Sequence, residues 1–125
     1  MISMENEIRA AVEAFVRAGD TQDRTLLEEA AHPQFRVVAP NYPEPGSLAV
    51  LSRSDFGSLL ESRKIGGDQR EVQILSSDKI SDSGAVVRAR LTGRQMVFEN
   101  SFTVVLSEGK WKLIQDLAQA SARRD

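Results

Sequence analysis

Beside eighteen Asp and Glu carboxylates, one histidine, His32, and one tyrosine, Tyr42, make a sparse inventory for acid–base chemistry in this chain. Histidine is the residue type whose ordinary titration lies nearest neutrality, so His32 is the candidate general base. Its position before Pro33 gives it a second reading, as a helix-terminal residue meeting the last carbonyls. Tyr42 lies among prolines in Pro40-Asn-Tyr-Pro-Glu-Pro-Gly46, where a phenol can act as a hydrogen-bonding lid or simply pack. There is no cysteine, which removes thiolate nucleophiles, disulfides and Cys-ligated zinc or iron–sulfur centres. Asp20, Asp23, Glu28 and Glu29 form an acidic group, but two of them fall where a helix N-terminus attracts carboxylates, and no metal is expected there. No cofactor is expected either.

Composition narrows the partners. Hydrophobic residues make up 41% and charged residues 27% of 125 residues, the balance of an ordinary globular chain and one expected domain, 1–125. Sixteen basic against eighteen acidic residues give a net charge of −2, without the basic excess that nucleic acid demands. The apolar runs are short, about five residues, and Met1 to Arg9 is polar, so neither a membrane span nor a secretory leader is expected and the reading is cytoplasmic.

The elements that must position the candidates follow from periodicity. Ile8, Ala11, Val12, Phe15 and Val16 recur at helical spacing, and Gly19 is expected to stop that helix. A short second helix follows, capped from Asp20, Thr21 or Asp23 with Thr25 and Glu28 spaced as a capping box, and ended by His32-Pro33. Phe35 to Ala39 reads as a strand and Leu48 to Leu51 as a brief edge strand. Ser54 is placed to cap a third helix with Phe56, Leu59 and Leu60 inward, ending before Gly66-Gly67.

From Arg70 the period becomes two. Segments near 70–80, 84–93, 95–107 and 110–118 form an antiparallel meander. A two-residue turn at Arg94-Gln95 sets Leu91 opposite Phe98, Ala89 opposite Asn100, Val87 opposite Phe102 and Ala85 opposite Val104, and on the other face Arg90 opposite Glu99. A turn at Glu108-Gly109 sets Leu106 against Trp111 and Val104 against Leu113. Continued without interruption it sets Phe102 against Gln115 and Asn100 against Leu117, which sends Asp116 outward with Lys112 and Ile114. Phe15, Phe98, Asn100, Phe102 and Gln115 are then expected to line a largely apolar interior, with His32 and Tyr42 towards its mouth. Asn100 and Gln115 would be the polar pair holding a ligand. The fold class is α+β, three N-terminal helices on a curved antiparallel sheet. Val86, Thr103, Val105 and Ile114 mix with charged residues on the other face, a composition that suits a homodimer interface.

Ala18-Gly-Asp20 followed by Leu26 or Leu27, His32-Pro-Gln-Phe35 before the first strand, and Gly109-Lys-Trp-Lys-Leu113 in the last strand resemble the nuclear transport factor 2-like superfamily over nearly the whole chain. The polyketide cyclase and steroid isomerase-like and lumazine-binding-like members are the similar subgroup. The resemblance implies a cone-shaped, cystatin-like barrel with an internal cavity, and frequent homodimerisation through the outer sheet face. Its isomerase pattern does not carry over: the helical tyrosine falls at Phe15 and the strand aspartate at Ala39. A dehydratase set of histidine, aspartate and tyrosines is incomplete with one His and one Tyr. The leading expectation is a dimeric domain binding a small apolar or carbonyl-containing ligand. The alternatives are a polyketide cyclase or dehydratase-type enzyme with His32 as base, and a protein-interaction module with a filled interior.

Overall fold

The computed structural model describes residues 3–123. Helix α1 spans Met4–Thr21 and opens on Ser3, whose side chain accepts from the Asn6 backbone N–H, with Glu5 and Glu7 in the first turn. Ile8, Val12, Phe15 and Val16 are buried along its inner stripe. Gly19 does not end it. The helix runs on to Gln22, which turns left-handed at φ 55°. Gly19 serves close approach instead, since a Cβ there would lie 2.8 Å from an Arg70 guanidinium nitrogen.

Helix α2, Arg24–Ala30, is capped by Asp23, one of the three expected acceptors, which takes the Leu26 N–H at 3.1 Å; Thr25 lies inside the helix, so it does not head a capping box with Glu28. Its last carbonyls are met by cations: Lys112 Nζ donates to the Glu29 carbonyl, and Arg53 Nη1 to those of Glu28 and Ala31 at 3.3 and 3.2 Å. Strand β1 (Ala31–Pro40) therefore begins before His32 rather than at Phe35, and pairs with β2 (Leu48–Ser52). Helix α3 (Arg53–Glu61) is capped by Ser52, not Ser54.

Strands β3 (Glu71–Ser81), β4 (Gly84–Thr92), β5 (Met96–Ser107) and β6 (Lys110–Ala122) complete one six-stranded sheet in the order β2-β1-β6-β5-β4-β3, antiparallel except for the parallel β1/β6 pair. The sheet is curved and unclosed, an α+β architecture as its sequence implies. The β4/β5 register matches the expected one at every pair, from Ala85 with Val104 to Leu91 with Phe98, and Arg90 bonds Glu99 on the outer face at 2.9 Å. The apolar stripes of the helices lie on the concave face against Val87, Leu91, Phe102, Val104 and Leu113, all essentially inaccessible. No helix among the described residues is long and apolar enough to cross a membrane.

Candidate functional site

The β5/β6 ladder departs from the uninterrupted register halfway along. Leu106 faces Trp111 and Val104 faces Leu113, but Thr103 then faces Gln115 and Phe102 faces Asp116, so Ile114 is an extra residue on β6. This β-bulge inverts the alternation downstream. Gln115, expected on the concave face, is exposed on the convex one, and Asp116, expected outside, is 4% exposed on the concave face. Asn100 keeps its expected place, 6% exposed, but faces Ala118 rather than Leu117. The polar pair on the inner face is therefore Asn100 and Asp116.

Asp116 is flanked by Phe102 on β5 and Val37 on β1. Burial pushes its carboxyl up from an ordinary 3.8 to about 7, against the opposing pull of the Arg70 charge and of hydrogen bonding from the Asn100 side chain. Among the described residues Asn100 Oδ1 and Asp116 Oδ1 are both buried without a partner. Two unmet acceptors side by side in a core are unusual, because each costs about 1–3 kcal/mol.

Arg70 guards the same region. Its Nε donates to Asp20 Oδ1 at 2.7 Å, its backbone N–H to Asp20 Oδ2 at 3.1 Å, and its Nη2 to the Val16 carbonyl at 3.3 Å. The guanidinium stands over the Phe98 ring, 5.2 Å from its centroid. The segment from residue 62 to 70 ties α1 to the β4–β5 turn: Gly67 N–H reaches the Gly19 carbonyl at 3.0 Å, and Asp68 accepts from Arg94 N–H at 2.8 Å. Asp20 is thus neutralised by Arg70 and Asp23 serves as a cap, which accounts for two members of the acidic group without a metal.

The rest of the inner face differs at its two ends. Phe15 packs on Phe35, Phe56 and Phe102 with ring centroids 5.2, 5.9 and 5.7 Å apart, so the expected lining residues Phe15 and Phe102 fill the interior against each other. Beyond Asp116 the inward positions shrink to alanine. Ala39, Ala49, Ala118 and Ala120 continue the inner side of β1, β2 and β6, with Phe98 and Met96 on β5. Ala120 and Met96 are exposed and the others half-buried, so this end of the concave face is uncovered among the described residues.

Among the described residues no hydrogen bond or ring contact links His32 or Tyr42 to Asn100 or Asp116. His32 Nδ1 accepts from the Gln34 backbone N–H at 3.0 Å, which ties the ring to its own strand rather than to helix carbonyls. Tyr42 is 48% exposed in the proline-rich loop. Two open recesses lie elsewhere. One, of about 370 Å³, sits between the α1–α2 turn and the end of α3 beside Arg24 and Arg63. The other, of about 210 Å³, follows residues 88–89, 99–101 and 117–119 across three strands on the convex face, beside Pro40.

Comparison with known proteins places this arrangement. The family model described as Putative lumazine-binding matches residues 3–117. The chain belongs to that family. It is thereby a member of the nuclear transport factor 2-like superfamily. Solved structures with the same fold include a nuclear transport factor 2-like protein of unknown function from Silicibacter pomeroyi, 24% identical, covering 98% of this chain and 100% of that one with a TM-score of 0.78. Another such protein of unknown function, from Shewanella baltica, is 15% identical over 100% of both chains, TM-score 0.75. A ketosteroid isomerase-like protein from Erwinia carotovora is 17% identical over 99% and 100%, TM-score 0.73. No functionally curated protein matches the chain in sequence. At these identities the structures speak for the fold, and chemistry must be read from the side chains of this family member.

Proposed function

We propose that this lumazine-binding family member is a homodimeric small-molecule-binding domain, whose ligand enters at the alanine-lined end of the concave face and is held by Asn100 and Asp116. The observation that carries the reading is the pair of unpartnered buried oxygens on those two residues. An occupant bringing hydrogen-bond donors recovers the cost of leaving them unmet. The aromatic cluster around Phe15 confines that occupant to the mouth end, and the small side chains of Ala118 and Ala120 leave room for a flat body over the sheet. A family described as lumazine-binding agrees with this shape, since lumazine is a planar bicycle with ring N–H groups.

Titrating the intrinsic fluorescence of lumazine with the protein tests the reading. A saturable change with the native chain, weakened tenfold or more by Asn100→Leu, is expected. Equal binding by both proteins overturns the site, and no response from the native chain overturns lumazine as occupant.

The dimer rests on the convex face. Leu48, Val50 and Leu117 are 63%, 48% and 42% exposed there and adjoin half-buried Val38, an apolar strip across β2, β1 and β6. A second reading, an enzyme acting on a carbonyl compound, is favoured by one observation: a carboxyl titrating near 7 suits proton transfer at neutral pH. Asp116 takes the base's role there, in place of His32, whose Nδ1 is engaged. Proton exchange next to the carbonyl of a bound ketone, lost in Asp116→Asn, is the outcome that reading requires.

A further inference from the structure

Which edge of a molecule this site accepts is set by the polarity of the groups around Asn100 and Asp116, given that the ligand binds there as proposed above. Both free atoms, Asn100 Oδ1 and Asp116 Oδ1, are acceptors. Beyond the Asn100 amide, whose hydrogen bonding already acts on Asp116, the strand neighbours of Asp116 among the described residues bring no donor to answer them. β1 offers Val37, β5 offers Phe102, and β6 continues with Ala118. The cation that acts on Asp116 is Arg70, and its guanidinium is already committed to Asp20 at 2.7 Å, to the Val16 carbonyl and to the face of Phe98. Asp20 and Arg70 cancel in charge, so the surplus at the inner end of the mouth is that of the Asp116 carboxylate.

An incoming carbonyl or carboxylate oxygen would meet two oxygens of the same polarity in a partly dry site, which is repulsive. An edge made only of N–H groups gives each oxygen a hydrogen and, if cationic, balances the carboxylate as well. The alanines at 39, 49, 118 and 120, beside Phe98, favour a flat body attached to that edge over a bulky one.

We propose that the site prefers planar molecules carrying a donor-only nitrogen edge of the amidine type over those, lumazine included, that set a carbonyl beside the N–H, and rejects molecules that present only carbonyl or carboxylate oxygens there. This turns the expectation of a carbonyl-containing ligand around: the protein supplies the acceptors and the ligand the donors.

Benzamidine, benzamide and benzoate test it, because they share one ring and size while the edge passes from two donors, to a donor and an acceptor, to two acceptors. Dissociation constants are measured at pH 8 by calorimetry and protein-detected NMR, with folding of each variant checked by circular dichroism. Benzamidine is expected to bind at least tenfold tighter than benzamide, and benzoate not measurably. That advantage should vanish in Asp116→Asn and survive in Gln115→Ala, on the opposite face. Benzamide or benzoate binding as tightly as benzamidine, and lost in Asn100→Leu, overturns the donor preference while the site stands. A benzamidine preference undiminished in folded Asp116→Asn overturns its placement at Asp116. No binding of any of the three overturns both the preference and the site.

Discussion

Replacing Asp116 by asparagine is expected to make the protein more stable at pH 8, although the residue is buried. The folded chain holds this carboxyl's titration near 7, whereas the unfolded chain releases the proton around 3.8. The folded state therefore binds the proton more tightly. Its contribution to stability is fully present below 3.8 and is lost as pH rises through 7. The gap between the two values, at about 1.36 kcal/mol per tenfold, sets a ceiling of about 4 kcal/mol for the whole transition, and about 3 kcal/mol of it falls between pH 5 and pH 8. Asparagine keeps the shape, has no charge to desolvate, and brings an amide donor that can answer Asn100 Oδ1. Urea unfolding followed by the fluorescence of Trp111, the single tryptophan and 9% exposed, gives the free energies. The native-minus-variant difference should move by about 3 kcal/mol against the native protein between pH 5 and pH 8. Comparing differences cancels the other carboxylates, which titrate alike in both proteins. A difference that is flat over this range, or that favours the native chain at pH 8, refutes the claim that burial dominates at Asp116.

Other expectations are more local. Gly66→Ala should cost more than about 2 kcal/mol in the same assay, because φ is +77° and a Cβ would lie 2.3 Å from the Gly19 carbonyl oxygen. Gly46→Ala, at φ +87° but with nothing within 4 Å, should lose only about 1 kcal/mol. His32→Gln should leave lumazine or benzamidine affinity within about twofold, since the ring contacts its own strand (a change below about 0.5 kcal/mol). Leu117→Arg should convert the proposed dimer to a monomer in size-exclusion chromatography with light scattering, and a native chain already monomeric at micromolar concentration overturns that interface.

Much of this architecture was legible in the residues, and the place where legibility stopped has a physical cause. The β4/β5 register followed because two signals agreed, apolar pairs on one face and Arg90 with Glu99 on the other. The β5/β6 register followed from the Glu108-Gly109 turn as far as Leu113, then failed at Ile114. Nothing as overt as a glycine marks that bulge. The available signal was a break of phase: Trp111 and Leu113 alternate, Ile114 follows at once, and small residues then recur at 118, 120 and 122. Read as a change of face, that pattern brings Asp116 inside. Gly19 is a related case: a glycine in a helix reads as a stop, whereas here its missing side chain makes room for Arg70 from another segment. Such non-local demands leave no periodic trace.

The extra residue at Ile114 acts on β6 as a frameshift acts on a message. Read in one frame, the strand's later half presents Gln115, Leu117, Gln119 and Ser121 to the concave side; read in the other, it presents Asp116, Ala118, Ala120 and Ala122. One choice gives a neutral interior crowded by long side chains. The other, adopted here, places an acid at the inner end of an alanine shelf. A single inserted residue therefore sets the charge of the interior and the width of its opening together, and relatives with one residue fewer or more between Leu113 and Asp116 can exchange one chemistry for the other without altering the residues that follow.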